Sequence, residues 1–281
     1  MKVMLTGANG QLGQELVDQF KATSFSIFAF TKTELDITDE LKVQKVVGEI
    51  QPDVIINTAA FTKVDLAESE EYLAYNINGY AQRNLAVAAE KVGAKICYVS
   101  TDYVFDGTGE VPYKEYDECK PLGVYGKSKY IGEKLTQSLS SKYFIVRTSW
   151  VYGEYGSNFV KTMLKLAETR NELGVVHDQI GSPTYTVDLA EFIIKLIKTD
   201  KFGIYHCTNS GSCSWYEFAK AIFEETGKNI KLNALTTDQY PTPAKRPQYS
   251  ALDNMALNIN GFSSMRHWRE GLSSFLNNLK K

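Results

Sequence analysis

At 281 residues the chain is long enough for one large domain, or for a main domain with a smaller lobe, and a composition of 43% hydrophobic and 23% charged residues is that of an ordinary globular protein. A formal net charge of -2 argues against a general attraction to nucleic acid or to an anionic membrane, so an anionic ligand has to be met by a few placed groups. No apolar run approaches the length of a membrane span, no cleavable leader is expected, and Cys97, Cys119, Cys207 and Cys213 show no zinc-type spacing, which fits free thiols in a cytoplasmic protein.

Residues 2–6 read as a strand. Leu12, Leu16 and Phe20 recur at helical spacing, so a helix follows. Residues 25–30 read as a second strand, and Thr38 is placed as the N-cap of a helix running to about Ile50. Val54-Ile55-Ile56, β-branched without alternation, reads as a strand buried on both faces, as in a parallel sheet. A long helix is expected over about 68–92, ended by Gly93, then a strand over 95–100, a helix over 128–139 and a strand over 143–146. This alternation means right-handed βαβ units: an α/β fold with a Rossmann-like doubly wound parallel sheet, whose ligands collect beyond the carboxyl ends of the strands. After Arg147 the pattern loosens. Helices are expected near 158–167, 187–197, 215–225 and 265–279, and Pro241, Pro243 and Pro247 mark an extended surface segment. The reading gives a dinucleotide-binding domain over 1–147, to which segments at roughly 170–198 return, and a smaller C-terminal substrate-binding lobe over 148–281.

The chemistry starts with Gly7-Ala8-Asn9-Gly10-Gln11-Leu12-Gly13, between the first strand and the first helix. Glycines let a diphosphate approach the backbone, and the helix N-terminus offers free N–H groups and partial positive charge. At the end of the second strand an acid would bind a ribose 2′-hydroxyl and repel a 2′-phosphate. Thr31 and Lys32 stand there instead, so NADPH is expected as cofactor, with NADH possible. Tyr125 and Lys129 form a Y-x-x-x-K, which a helix puts on one face. A phenol titrates near pH 10 when free, and a neighbouring cation is expected to lower that, so that Tyr125 gives a proton to an oxygen as hydride reaches its carbon. Alone, the pair is better read as a solvated helix surface. Ser100-Thr101-Asp102, at the end of the fourth strand, adds a hydroxyl at Thr101 that can polarise a carbonyl.

The glycine spacing resembles that of the extended short-chain dehydrogenase/reductases. With Ser100-Thr101-Asp102-Tyr103-Val104-Phe105, Tyr125-Gly126-Lys127-Ser128-Lys129, Ser149-Trp150-Val151-Tyr152-Gly153, Gln179-x-Gly181-Ser182-Pro183-Thr184 and Arg246-Pro247, the chain resembles their dTDP-4-dehydrorhamnose reductase family over nearly its whole length. The resemblance implies NADPH-dependent reduction of the 4-keto group of a dTDP-4-keto-6-deoxy sugar, dTDP-4-dehydro-L-rhamnose, with Thr101, Tyr125 and Lys129 catalytic. It further implies that Asp36 and Ile37 flank the adenine. Ala59, Ala60, Thr62, Asn76 and Ser100 would lie along the cofactor path. Asp102, Phe105, Trp150, Asn158, Gln179, Ser182 and Arg246 would serve the substrate. Read alone, Trp150 fits a core and Arg246 a surface ion pair. Glu15 matches an acidic position through which some members bind magnesium at a dimer interface, but no second acid is placed, so no structural metal is expected. The chain is expected to act as a monomer or homodimer. The rival readings are an epimerase or dehydratase on the same fold, against which the missing acid after the second strand counts, and a non-catalytic NADP-binding subunit.

Overall fold

The computed structural model describes residues 1–279. Five strands punctuate the first half: β1 (Lys2–Thr6), β2 (Ser26–Phe30), β3 (Val54–Asn57), β4 (Lys95–Thr101) and β5 (Tyr143–Thr148). Between them run α1 (Gln11–Phe20), α2 (Glu40–Ile50), α3 (Val64–Ala67), α4 (Glu71–Tyr75), α5 (Ala81–Val92) and α6 (Val124–Leu139). The second half adds β6 (Val151–Tyr152), α7 (Phe159–Leu166), β7 (Glu172–Val176), β8 (Ile180–Gly181), β9 (Thr184–Tyr185), α8 (Thr186–Leu196), β10 (Gly203–His206), β11 (Cys213–Ser214), α9 (Trp215–Thr226), β12 (Lys231–Leu235), α10 (Met255–Ile259) and α11 (Trp268–Leu279).

The main sheet has six parallel strands in the order β10-β5-β4-β3-β1-β2. From β1 the chain steps outward to β2, then returns past β1 to β3. The crevice where the order reverses lies beyond the carboxyl ends of β1 and β3, the place such sheets bind ligands. Alternation along each strand sorts the core. Val3, Leu5, Val54, Ile56, Phe144 and Val146 face α1 and α8 on one side; Met4, Ile55 and Ile96 face α2 and α5 on the other. Burying each such side chain is worth about 1.5–3 kcal/mol, which is why β3 tolerates no polar residue until Asn57. A separate cluster, including Val160, Leu173, Phe218, Ile222, Trp268, Leu272 and Phe275, gathers side chains of the second half. Of the stretch 170–198, α8 packs on α1, whereas β7 pairs with β12. The strand that extends the main sheet, β10, lies just beyond that stretch.

Two local expectations are corrected. Thr38 does not cap α2: the Asp39 carboxylate accepts the Lys42 N–H at 3.0 Å, and the Thr38 hydroxyl donates to Asp36 Oδ1 at 2.8 Å. The long helix begins at Glu71 and contains a π turn over Asn76–Tyr80 between α4 and α5. Such turns shift the face that the following helix presents. As expected, Gly93 ends α5 in the left-handed conformation, φ 72°.

Candidate active site

A cleft of about 740 Å³ runs along the carboxyl edge of the main sheet, from the loop after β1 to the start of α9. At its β1 end the backbone is held by steric necessity. Gly7 has φ +76°, and a Cβ there would stand 2.5 Å from the Ala59 nitrogen; a Cβ on Gly13 would stand 2.1 Å from the Gly7 carbonyl oxygen. Only hydrogen fits at both positions, so β1, α1 and the turn after β3 close on one another. Gly10 caps α1 with no side-chain acceptor, and the first turn carries no acid. The helix N-terminus is left for an anion brought by a ligand. Gly7, Asn9, Gly10, Gln11, Leu12 and Gly13 all line the cleft, and the cradle that side chains would fill fits a dinucleotide diphosphate.

Lys32, Asp36 and Ile37 line the same end, with Leu35. Thr31 does not: its N–H and hydroxyl both donate to the Glu34 carboxylate, at 2.8 and 2.7 Å. Those bonds hold Glu34 below the usual carboxylate range. The expected hydroxyl is therefore engaged by an acid, Glu34, that the motif did not single out. Ala59, Ala60 and Thr62 line the cleft as expected, together with Thr58 and Val64. Asn57 fixes that turn: its Oδ1 accepts from Thr6 Oγ1 at 2.8 Å and from the Ala59 N–H at 2.9 Å, and its Nδ2 donates to Gln82 at 2.7 Å. Asn76 is not on the lining; within the π turn Ile77 takes that place. The asparagine that works structurally here is Asn78, buried and bonded to both backbone groups of Phe61 and to the Ser128 hydroxyl.

The centre of the cleft is built by β4 and α6. Ser100, Thr101 and Asp102 line it, opposite Tyr125 and Lys129. The Thr101 hydroxyl lies 3.1 Å from Asp102 Oδ1, and the Ser250 hydroxyl donates to Asp102 Oδ2 at 2.6 Å. Burial pushes the Asp102 carboxyl up to about 7, against the pull of those two hydroxyls. Helix α6 sits hard on the loop after β4, since a Cβ on Gly126 would stand 2.1 Å from the Tyr103 carbonyl oxygen. The Tyr103 and Tyr125 rings meet edge to face at 5.7 Å. Lys129 donates to the Val99 carbonyl at 2.7 Å and lies 4.1 Å from the Tyr98 ring centroid.

The acidity expected of Tyr125 is corrected. Burial pushes its phenol up to about 12, while Thr101 hydrogen bonding lowers it and Asp102 raises it further. The same burial pulls the Lys129 ammonium down to about 7, with Glu133 acting in the opposite sense. Desolvation dominates at both groups, and the ammonium is turned to the Val99 carbonyl.

At the far end Trp150 lines the cleft and stacks on Trp215, with ring centroids 3.5 Å apart and planes 8° from parallel. Trp150 holds φ +47°, a costly conformation for a bulky residue. Its ring occupies the space over Gly181, where a Cβ would stand 2.5 Å from it. Nothing in the sequence marked Trp215, which opens α9 far along the chain. Five further expected residues lie off the lining. Phe105 is buried and stacks on Tyr113 at 4.3 Å. Asn158 caps α7 and donates to Gln11 Oε1 at 2.9 Å. Gln179 donates to Thr237 at 3.1 Å, and the Ser182 carbonyl accepts from Ser149 at 2.6 Å. Arg246 is paired bidentately with Asp65 at 2.9 and 2.8 Å, which holds the Asp65 carboxyl below its usual range.

Comparison with known proteins bears on this geometry. The family model described as the RmlD substrate binding domain matches residues 1–281. Spore coat polysaccharide biosynthesis protein SpsK of Bacillus subtilis is 50% identical over 98% of this chain and 96% of its own length. The dTDP-4-dehydrorhamnose reductase of Escherichia coli is 41% identical over 99% of this chain and 98% of its own. Among solved structures, dTDP-4-dehydrorhamnose reductase from Bacillus anthracis in complex with NADP superposes with a TM-score of 0.97 at 50% identity, covering 99% of each chain.

Proposed function

The chain belongs to the RmlD family of dTDP-4-dehydrorhamnose reductases, and from that premise we propose that it reduces the 4-keto group of dTDP-4-dehydro-L-rhamnose to give dTDP-L-rhamnose, with NADPH as the reductant. The observation that carries the reading is that Thr101, Tyr125 and Lys129 line one cleft with the glycine loop and Trp150. NADPH, when bound, supplies the hydride that reduces the ketone carbon. Gly7, Gly10 and Gly13 with the N-terminus of α1 would hold its diphosphate, and Ala59, Ala60 and Thr62 would flank its path. Lys32 offers a cation to a 2′-phosphate.

The protein's own groups do the rest. Thr101 donates a hydrogen bond to the ketone oxygen and so favours the charge that develops there. Tyr125, kept protonated by burial with an acidity shifted to about 12, delivers its proton to that oxygen. Lys129 orients the cofactor's ribose and stands behind the phenol. Trp150, backed by Trp215, flanks the sugar. One chain supplies all of these residues. Among the described residues no helix is long and apolar enough to cross a membrane, and the cytoplasm, where reduced nicotinamides are kept, is the proposed compartment.

The test is an absorbance assay with the purified protein, NADPH and the 4-keto sugar nucleotide. Stoichiometric loss of NADPH with formation of the 4-hydroxy product is expected. Tight NADPH binding without turnover would overturn the reading in favour of a non-catalytic subunit. Conversion without net consumption would indicate an epimerase or dehydratase.

A further inference from the structure

Behind the cleft, on the side away from solvent, lies an ion pair that the proposed chemistry does not use. Glu133 follows Lys129 by one turn of α6. Its side chain and that of Arg147 are 1% and 2% exposed. Arg147 Nε donates to Glu133 Oε1 at 3.0 Å and Nη2 to Oε2 at 2.7 Å. The Ser100 hydroxyl donates to the same Oε1 at 2.6 Å. Ser100 and Arg147 are register partners of β4 and β5. One carboxylate therefore ties three elements at the point where each enters the cleft: α6, which bears Tyr125 and Lys129; β4, one residue before Thr101; and β5, three residues before Trp150. Arg147 is fixed in turn, by the Glu115 carbonyl at 3.3 Å, by His206 Nε2 at 3.3 Å and by the Phe105 ring.

An ion pair this deep contributes little net stability, because removing two charges from water offsets their attraction. Its geometry has another use. Misplacing a reacting group by about 1 Å costs on the order of 10²-fold in rate, and among the described residues the Glu133 pair joins the Lys129–Val99 bond in anchoring helix α6 to the sheet through a charged group. We propose that Glu133 is a positioning residue for the reductive site, setting the register of Tyr125 and Lys129 against Thr101 and supplying the negative charge that faces Lys129 from within its own helix. The inference rests on the reductase reading above.

The charged and titratable groups around this pair are few. Lys129 faces Tyr98 on β4 and Glu133 on its own helix; Tyr125, on which Asp102 acts, lines the same cleft. Glu133 faces Arg147 on β5, Tyr98 on β4 and Cys119 in the preceding loop; His206 on β10 and Glu115 reach it only through Arg147. Of these, only Glu133 acts to raise Lys129, so its removal shifts the loss of the ammonium proton to lower pH.

Three variants test this: Glu133→Gln, Glu133→Asp, and the double variant Glu133→Met/Arg147→Met, which leaves no unpaired charge in the interior. Fold is read by urea denaturation, turnover as kcat against KM across pH, and NADPH binding across pH by fluorescence. The double variant is expected to fold, to lose at least ~10-fold in kcat, and to move its alkaline limb down by about one pH unit. Glu133→Asp, which keeps charge but shortens the tether, is expected to keep the wild-type limb with lowered kcat. It also decides the matter if the double variant does not fold, because a limb displaced as far as in Glu133→Gln would refute the charge role. A folded double variant with wild-type kcat and pH profile would reduce the pair to scaffolding. If the wild-type protein shows no turnover, the reductase reading fails, and the pH dependence of NADPH binding in the same variants still judges Glu133 through Lys129.

Discussion

Tyr125, Asp102 and Lys129 share one buried corner, and each is shifted towards its neutral form: the phenol to about 12, the carboxyl to about 7 and the ammonium to about 7. A phenol so shifted stays protonated at neutral pH. Tyr125→Phe is expected to lower kcat by at least ~100-fold with NADPH affinity unchanged, since only the donor is removed; steady-state kinetics beside a binding titration checks this. Lys32→Ala is expected to raise KM for NADPH severalfold more than KM for NADH, because the role proposed for the lysine at the cleft edge is to meet a 2′-phosphate; equal effects would remove Lys32 from that role. His206 offers a pH prediction. Burial first, then Arg147, pulls its imidazole from 6.5 down to about 3. The unfolded chain takes up a proton below about 6.5 that the folded chain refuses until about 3. The stability from neutral His206 is thus present above 6.5 and is lost as the pH falls, by roughly 1.4 kcal/mol per pH unit. His206→Gln is expected to show a shallower fall of urea stability between pH 6.5 and 5 than wild type, and parallel slopes would overturn the assignment.

At the scale of elements, helix ends depend on caps, and two of them differ in how far away the cap lies. Asp39 caps α2 locally, so Asp39→Ala is expected to cost about 1 kcal/mol in urea denaturation and leave turnover intact. Helix α6 is expected from sequence only from Ser128, yet it starts at Val124, whose N–H donates to Glu68 Oε1 at 2.9 Å. That acceptor comes from the turn between α3 and α4 and cannot be seen from the sequence around Gly123. It matters for the site, because it brings Tyr125 into the first turn of a helix and so onto the face of Lys129. The π turn before α5 is similar: periodicity gave a helix over that stretch, but which asparagine points inward, Asn76 or Asn78, depended on the extra residue in the turn.

Across the whole molecule, the two halves meet at the cleft through a small number of polar ties. Ser250 bonds Asp102, and Arg246 in the proline-marked segment bonds Asp65 on α3. Arg246 was expected to serve the substrate, and in this structure its guanidinium is held by a carboxylate of matching fork geometry. If it leaves Asp65 for a ligand, Arg246→Ala raises KM for the sugar nucleotide by roughly tenfold or more with NADPH affinity unchanged; a lowered urea midpoint with unaltered KM would make the pair a structural tie alone.

The sequence by itself determined the parallel α/β sheet, the glycine turn and the line of Thr101, Tyr125 and Lys129, because those rest on local signals: β-branched runs such as Val54-Ile55-Ile56, glycines where a Cβ has no room, and i, i+4 spacing. Only the tertiary structure decided that Trp215 backs Trp150, that Glu34 occupies Thr31, that Arg246 pairs with Asp65 and that Tyr125 is made less acidic rather than more. Each of those depends on which groups meet across long stretches of chain and on how much water burial removes, and neither quantity is written in the spacing of residues.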